Sequence, residues 1–169
     1  MFNSLSFEVV GGISTAHSPN AKAGKSGWAK GRASQLHRNQ GLRACQEAIQ
    51  NKFEMAPADF KLHPALLPAQ VIFTRVMVNP RSQAMDNDNF TASLKPLRDG
   101  VAQALGIPDS AKGMLVDYQQ FRLPKDKDEP VHPVLVAALN YEATQDYILV
   151  QIDWPSFDDE GIATEENEG

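Results

Sequence analysis

Apolar residues in this chain fall into four short runs with the character of strands and two longer stretches with a helical repeat. Leu5 to Val10 is the first strand-like run, closed by Gly11-Gly12. Residues 13–34 are rich in Ser, Gly, Ala and Lys, with only Ile13 and Trp28 as sizeable apolar side chains, and predict a flexible basic loop. From Ser34 to Phe53, Leu36, Leu42, Cys45 and Ile49 recur near helical spacing, with Arg38 and Arg43 on the polar side. Val71 to Val78 is β-branched and aromatic, and Pro80 closes it. A second helix is expected from Asn89 to Leu105, with Phe90, Leu94, Leu97, Val101 and Leu105 as one stripe. Asn89 is the expected N-cap and Gly106 the terminator, and Pro96 is expected to offset the first turn or two. Met114 to Leu123 and Tyr147 to Trp154 are further strands, separated by a charged, proline-bearing loop over Lys125 to Pro133. The order predicts a single α+β domain over residues 1–157, a mixed sheet of about four strands backed by two helices.

Charge changes the picture more than composition does. The formal net charge is −5, but six acids and no Lys or Arg lie in residues 158–169, which predict an acidic, disordered tail whose simplest use is solubility. Without the tail, 16 basic residues face 15 acidic ones. Residues 1–52 hold seven basic side chains against Glu8 and Glu47 alone. The front of the chain is therefore basic enough for a phosphate backbone, with Lys22, Lys25, Lys30, Arg32 and Arg38 as candidate DNA contacts. No secretory leader and no apolar run of membrane-spanning length is visible. The one cysteine, Cys45, rules out an intrachain disulfide and on its helix reads as a small buried hydrophobe. A cytoplasmic protein without a membrane partner is the expectation.

Candidate chemistry concentrates at Asp86-Asn87-Asp88-Asn89, where carboxylates crowd the turn between a strand and a helix. Carboxylates so close repel unless a cation lies between them, and hard cations such as Mg²⁺ take oxygen ligands of this kind. On a helical wheel, Lys95 and Asp99 return to the direction of Asp88, on the face opposite the apolar stripe. For Lys95 and Asp99 alone, an ordinary i,i+4 ion pair is the simpler account. The spacing excludes a calcium loop of the EF-hand kind, since Phe90, Thr91 and Leu97 stand where a third oxygen ligand, a Gly and a Glu belong. Pro19 to Ser26 comes one residue short of a P-loop, without the flanking strand and apolar helix, so no nucleotide cofactor is expected. The four histidines lie at no zinc-ligand spacing.

The run from Asp86 to Gly100 resembles the signature of the RusA-type Holliday-junction resolvases, especially phage and prophage members: D-x-D-N-apolar, a lysine and an aspartate on the following helix, then Asp near the next strand. The resemblance implies a small dimeric α+β endonuclease that uses Mg²⁺ or Mn²⁺ to nick four-way DNA junctions in symmetric pairs. Carried over by position, Asp86, Asp88 and Asp109 hold metal and Asn89 supports them. Lys95 is the cation near the scissile phosphate, and Asp99 an auxiliary acid. Asp117 competes with Asp109 as the third acid. Met85 stands where a basic residue is common, with Arg81 as the nearest substitute. The alternative is a catalytically degenerate DNA-binding accessory protein on the same fold.

Overall fold

The computed structural model describes residues 2–11, 27–124 and 139–156. The basic residues Lys22 and Lys25, the loop over 125–133 and the acidic tail from 158 lie outside them. Four strands, β1 (Phe2–Val10), β2 (Ala69–Met77), β3 (Met114–Arg122) and β4 (Tyr147–Pro155), form one sheet in the order β1-β4-β2-β3. β4 runs antiparallel to both β1 and β2, whereas β2 and β3 are parallel. A parallel pair needs a crossover, and α2 (Asn87–Leu105) supplies it. The other helix is α1 (Gly27–Phe53). The expected α+β domain with a four-stranded mixed sheet and two helices is what the chain forms.

Alternation along each strand decides which face meets the helices. Leu5 and Val9 on β1, Val71 and Phe73 on β2, Met114 on β3, and Ile148, Val150, Ile152 and Trp154 on β4 join Cys45 and Ile49 of α1 and the stripe of α2 in one core. All five expected stripe residues of α2 are buried. Their removal from water is the main driving force for docking the helix, at roughly 1.5–3 kcal/mol for each large side chain. The opposite face has a smaller cluster in which Val76, Tyr147 and Leu149 meet Leu139.

Both helices begin earlier than the pattern predicts. Residues 27–34, expected as loop, form the first turns of α1. Leu36, expected on the buried side, is 58% exposed, because nine residues at 100° each set it opposite Cys45 on the helix. A low density of apolar residues marked residues 27–34 as loop, and Gly31 and Ser34 instead line a cleft against Lys95, Pro96 and Asp99 of α2. α2 is a single helix through Pro96. The ring deletes one helical hydrogen bond, and burial of the stripe on both sides carries the helix across the gap.

The helices cross where each lacks a side chain. A Cβ on Gly100 would lie 2.1 Å from the Arg38 carbonyl oxygen, and one on Gly41 would lie 2.5 Å from that of Leu97. No larger residue fits at this contact. The crossing holds Arg38 over the exposed face of α2, and the Arg38 Nε–H donates to Gln103 Oε1 at 3.2 Å.

Candidate functional site

The Asp cluster sits where β2 ends and α2 begins, at the C-terminal ends of the two parallel strands. That end of a parallel sheet is where α/β folds commonly bind ligands, because loops and helix N-termini converge there. The helix-facing side of β2 and β3 changes character towards it. Val71 and Phe73 give way to Arg75, and Met114, Val116 and Tyr118 give way to Gln120 and Arg122. The core ends there and a polar scaffold replaces it.

That scaffold fixes the segment 78–85 that delivers the acids. The Asp146 carboxylate accepts from the Val78 N–H at 2.8 Å, the Asn79 N–H at 2.9 Å and the Ser82 hydroxyl, and pairs with the Arg75 guanidinium at 3.4 Å. Burial alone would raise the Asp146 carboxyl, but the bonds from Ser82, Asn79 and Val78 and the charge of Arg75 outweigh it and hold the group below the usual range. The Gln120 amide clasps Met85 from both sides, accepting from its N–H at 2.9 Å and donating to its carbonyl at 2.7 Å. Arg75 donates to the Gln83 carbonyl at 2.9 Å, and Arg122 donates to the carbonyls of Asn79 and Ser82. Sequence reading missed Arg75, Gln120, Arg122 and Asp146. Only the switch from apolar to polar along one strand face signals the first three, and nothing marks Asp146 before the fold is known.

The N-cap of α2 is Asp86 rather than the expected Asn89. Asp86 Oδ1 accepts from the Asn89 N–H at 2.9 Å, and Oδ2 accepts from the Asn89 side-chain amide. Both bonds run from Asn89 to Asp86, so one carboxylate caps the backbone and holds the side chain of the same residue. Asp is as good an N-cap as Asn, and the helix begins two residues before Asn89 because Asn87 and Asp88 also adopt helical geometry. Hydrogen bonds first from the Asn89 N–H and then from its side chain hold the Asp86 carboxyl below the usual range. Capping accounts for Asp86 and Asn89. It leaves Asp88, exposed on the first turn, without a part in these bonds.

At the other end of the same face lies a second charged group. Lys95 Nζ is 3.2 Å from Asp99 Oδ2 and 3.9 Å from Asp109 Oδ2, and the lysine side chain is 58% exposed. The Lys95–Asp99 pair is the i,i+4 pair that helical spacing allows, a surface interaction of small energy. Two adjoining clefts flank it and share Arg38 and Asp99. One, of about 440 Å³, runs past Gly31, Ser34, Lys95 and Pro96, and the other, of about 380 Å³, past Gln103, Pro108 and Asp109. Lys30, Arg32, Arg38 and Arg81 are all exposed.

Asp109 is thus brought to Lys95 and Asp99 rather than to Asp86 and Asp88. Among the described residues no three His, Cys, Asp or Glu side chains stand close enough together to hold a metal ion. Asp117 lies on the opposite side of the sheet, since its neighbours Val116 and Tyr118 face the helices. Cys45 is buried, with its thiol pushed up to about 12 by desolvation, as befits a packing residue and not a nucleophile. No described helix is long and apolar enough to cross a membrane.

The chemistry of the N-terminal pair, two carboxylates, is of the kind divalent cations take. Mg²⁺ is commonly held by one or two carboxylates, its other positions filled by water and substrate phosphate oxygens. Each Asp86 oxygen accepts one bond from Asn89, and a carboxylate has about four lone-pair directions. Asp86 therefore retains acceptor capacity beside Asp88, on a segment fixed from behind. Known proteins add no assignment of their own: no family model, no curated protein and no solved structure matches this chain.

Proposed function

We propose that this protein is a divalent-metal-dependent endodeoxyribonuclease of the RusA type, acting as a homodimer on four-way or related branched DNA. The observation that carries the reading is the pair Asp86 and Asp88 at the head of α2, on a segment clasped by Asp146, Gln120, Arg75 and Arg122. So many bonds spent on holding one exposed turn suit a site that must present carboxylates in a fixed position. Bound between them, Mg²⁺ or Mn²⁺ supplies a more acidic water and charge to offset that of the phosphate. Asp86 and Asp88 hold the ion, and Asn89 keeps Asp86 ionised and oriented. Lys95 offers a mobile positive charge along the same face, kept there by Asp99 and Asp109. Arg38, Lys30 and Arg32 extend the basic surface from α1, and Arg81 adds one charge from the turn that precedes the acids.

The placement of Asp109 supports a second reading, a DNA-binding accessory protein on this fold with a degenerate metal site. Two carboxylates without a third ligate a metal more weakly than three. One experiment separates the readings: a synthetic four-way junction and a linear duplex are incubated with the protein in Mg²⁺, in Mn²⁺ and in chelator, while metal binding is followed by calorimetry. Metal-dependent nicks paired across the junction support the nuclease. Junction binding with neither cleavage nor metal uptake supports the accessory protein.

A further inference from the structure

Among the described residues β1 pairs with β4 alone, which leaves its other edge without a strand partner there. Which of its backbone groups face outward follows from the far side of the sheet. The Ala69 N–H bonds the Gly113 carbonyl and the Leu123 N–H bonds the Met77 carbonyl, so odd-numbered residues of β2 turn their backbone to β3. Even-numbered residues of β2 turn theirs to β4, where Gln70, Ile72 and Thr74 lie opposite Asp153, Gln151 and Leu149. The even-numbered residues of β4 are then left for β1, where Ile152, Val150 and Ile148 lie opposite Leu5, Phe7 and Val9. Antiparallel pairs alternate in this way. The N–H and C=O groups of Phe2, Ser4, Ser6, Glu8 and Val10 therefore point out of the sheet. An independent contact agrees, since Lys52 of α1 donates to the Ser4 carbonyl from the open side.

We propose that a second copy of this chain adds to this edge, β1 against β1 in antiparallel fashion, with the two-fold axis at Ser6. Centred there, all nine residues of the strand overlap and each outward-facing residue meets another: Phe2 opposes Val10, Ser4 opposes Glu8 and Ser6 opposes its own mate. Phe2 and Val10, 66% and 59% exposed, are the two large apolar side chains that β1 leaves in water, and this register covers both of them twice. On the helix side it sets Leu5 opposite Phe7. A shift of one residue in either sense places Phe2 against Glu8 or Val10 against Ser4. A groove of about 500 Å³ between β1 and α1, where Ala44 and Ala48 leave room, receives the added strand. An isologous interface needs a self-complementary surface, and β1 is one. The resulting sheet has eight strands and hides an edge that would otherwise recruit chains without order. The proposal stands on the strand alone, although a two-fold axis is also what paired cutting needs.

Ser6→Pro tests it on the full chain. The Ser6 N–H points outward, so proline there costs no bond to β4 but blocks addition of a strand. Light scattering of the parent at micromolar concentration should give twice the chain mass, and Ser6→Pro should halve it while the far-ultraviolet circular dichroism stays unchanged. Ser6→Cys gives a second readout. Bonded antiparallel partners have Cα atoms about 5.5 Å apart, within disulfide range, so added diamide should oxidise the two thiols to one intermolecular disulfide. Ser4→Cys, whose mate lies roughly four residues away along the strand, should not cross-link. A monomeric parent, a Ser6→Pro variant that remains dimeric, or equal cross-linking at positions 4 and 6 each overturns the proposal. A monomeric parent would also remove the paired cut of the proposed function, whereas a β1 dimer that cuts nothing rejects the nuclease reading alone.

Discussion

The two ends of α2 carry similar residues and treat them in opposite ways. At the N-terminal end, Asp86 caps the helix through two bonds from Asn89, and the preceding segment is bonded at nearly every step to side chains of β2, β3 and the turn before β4. Towards the C-terminal end, Lys95 attracts Asp99 and Asp109 through solvent-exposed pairs, with the lysine more than half exposed. Hydrogen bonds from half-buried partners fix a carboxylate, whereas ion pairs in solvent leave side chains free to exchange partners. The fixed end suits ligation, where a misplaced oxygen is costly. The loose end suits a phosphate backbone that arrives and departs.

The sharpest test of that contrast exchanges one acid at each end. Asp88→Asn should lower junction cleavage by about 10²–10³-fold, in keeping with loss of a metal ligand or key electrostatic group, while DNA binding holds or tightens as a negative charge is removed. Asp109→Asn should lower it by less than about 10-fold, because Asp109 acts only through Lys95. Equal losses in single-turnover assays would show that the two ends work as one metal site, with Asp109 recruited once DNA is bound.

Gly100→Ala probes what joins the ends. Its Cβ would meet the Arg38 carbonyl at 2.1 Å, so the helices must part at a cost of about 3 kcal/mol. On a chain of this size the melting temperature should fall by roughly 6–12 °C. A loss of only a degree or two would mean that the crossing yields, and that Arg38 is less firmly placed than its contacts indicate.

Asp146→Ala removes the clasp behind the fixed end and strands the Val78 and Asn79 amides. A loss of about 2 kcal/mol is expected for half-buried donors left without a partner, together with weaker cleavage. The folded-state pKa of Asp146 is depressed, so its stabilisation is fully present above the unfolded carboxyl value of about 3.9 and fades as pH falls through the lower folded value. Urea melts of the parent and of Asp146→Asn should therefore converge on acidification from pH 6 to pH 3. A constant gap would assign the effect to packing and not to charge.

Lys95→Ala should have the smallest effect on stability, within about 0.5 kcal/mol for an exposed surface pair. Its junction cleavage should nevertheless drop about 10-fold or more if the ammonium meets the scissile phosphate. A lower melting temperature with unchanged cleavage would reduce Lys95 to its ion pair with Asp99.

Much of the fold was legible because alternation and helical repeats are local. The four strands and the stripe Phe90, Leu94, Leu97, Val101 and Leu105 need only near neighbours in the chain to declare themselves. The first turns of α1 were not legible, because residues 27–34 lack the apolar repeat that identifies helices. The cap moved from Asn89 to Asp86 because both residues make good caps, and only the observed bond to the Asn89 N–H decides between them. Of the candidate site, sequence put Asp86 and Asp88 in the turn before the helix and Lys95 and Asp99 on its exposed face, whereas the structure makes Asp86 the N-cap and Asp88 part of the first turn. Its spacing also told correctly that Lys95 and Asp99 would meet.

The chain by itself determined which residues are carboxylates at the head of a helix, which stripe that helix buries and which segments pair as strands. Tertiary structure alone decided that Asp109 turns to Lys95 and not to Asp86, that Asp146 reaches back more than sixty residues to hold Ser82, and that β1 lies at an edge. Each of these depends on how distant segments are laid side by side. A polar side chain takes whichever partner the packed core brings within a few ångströms, and nothing in its local sequence names that partner beforehand.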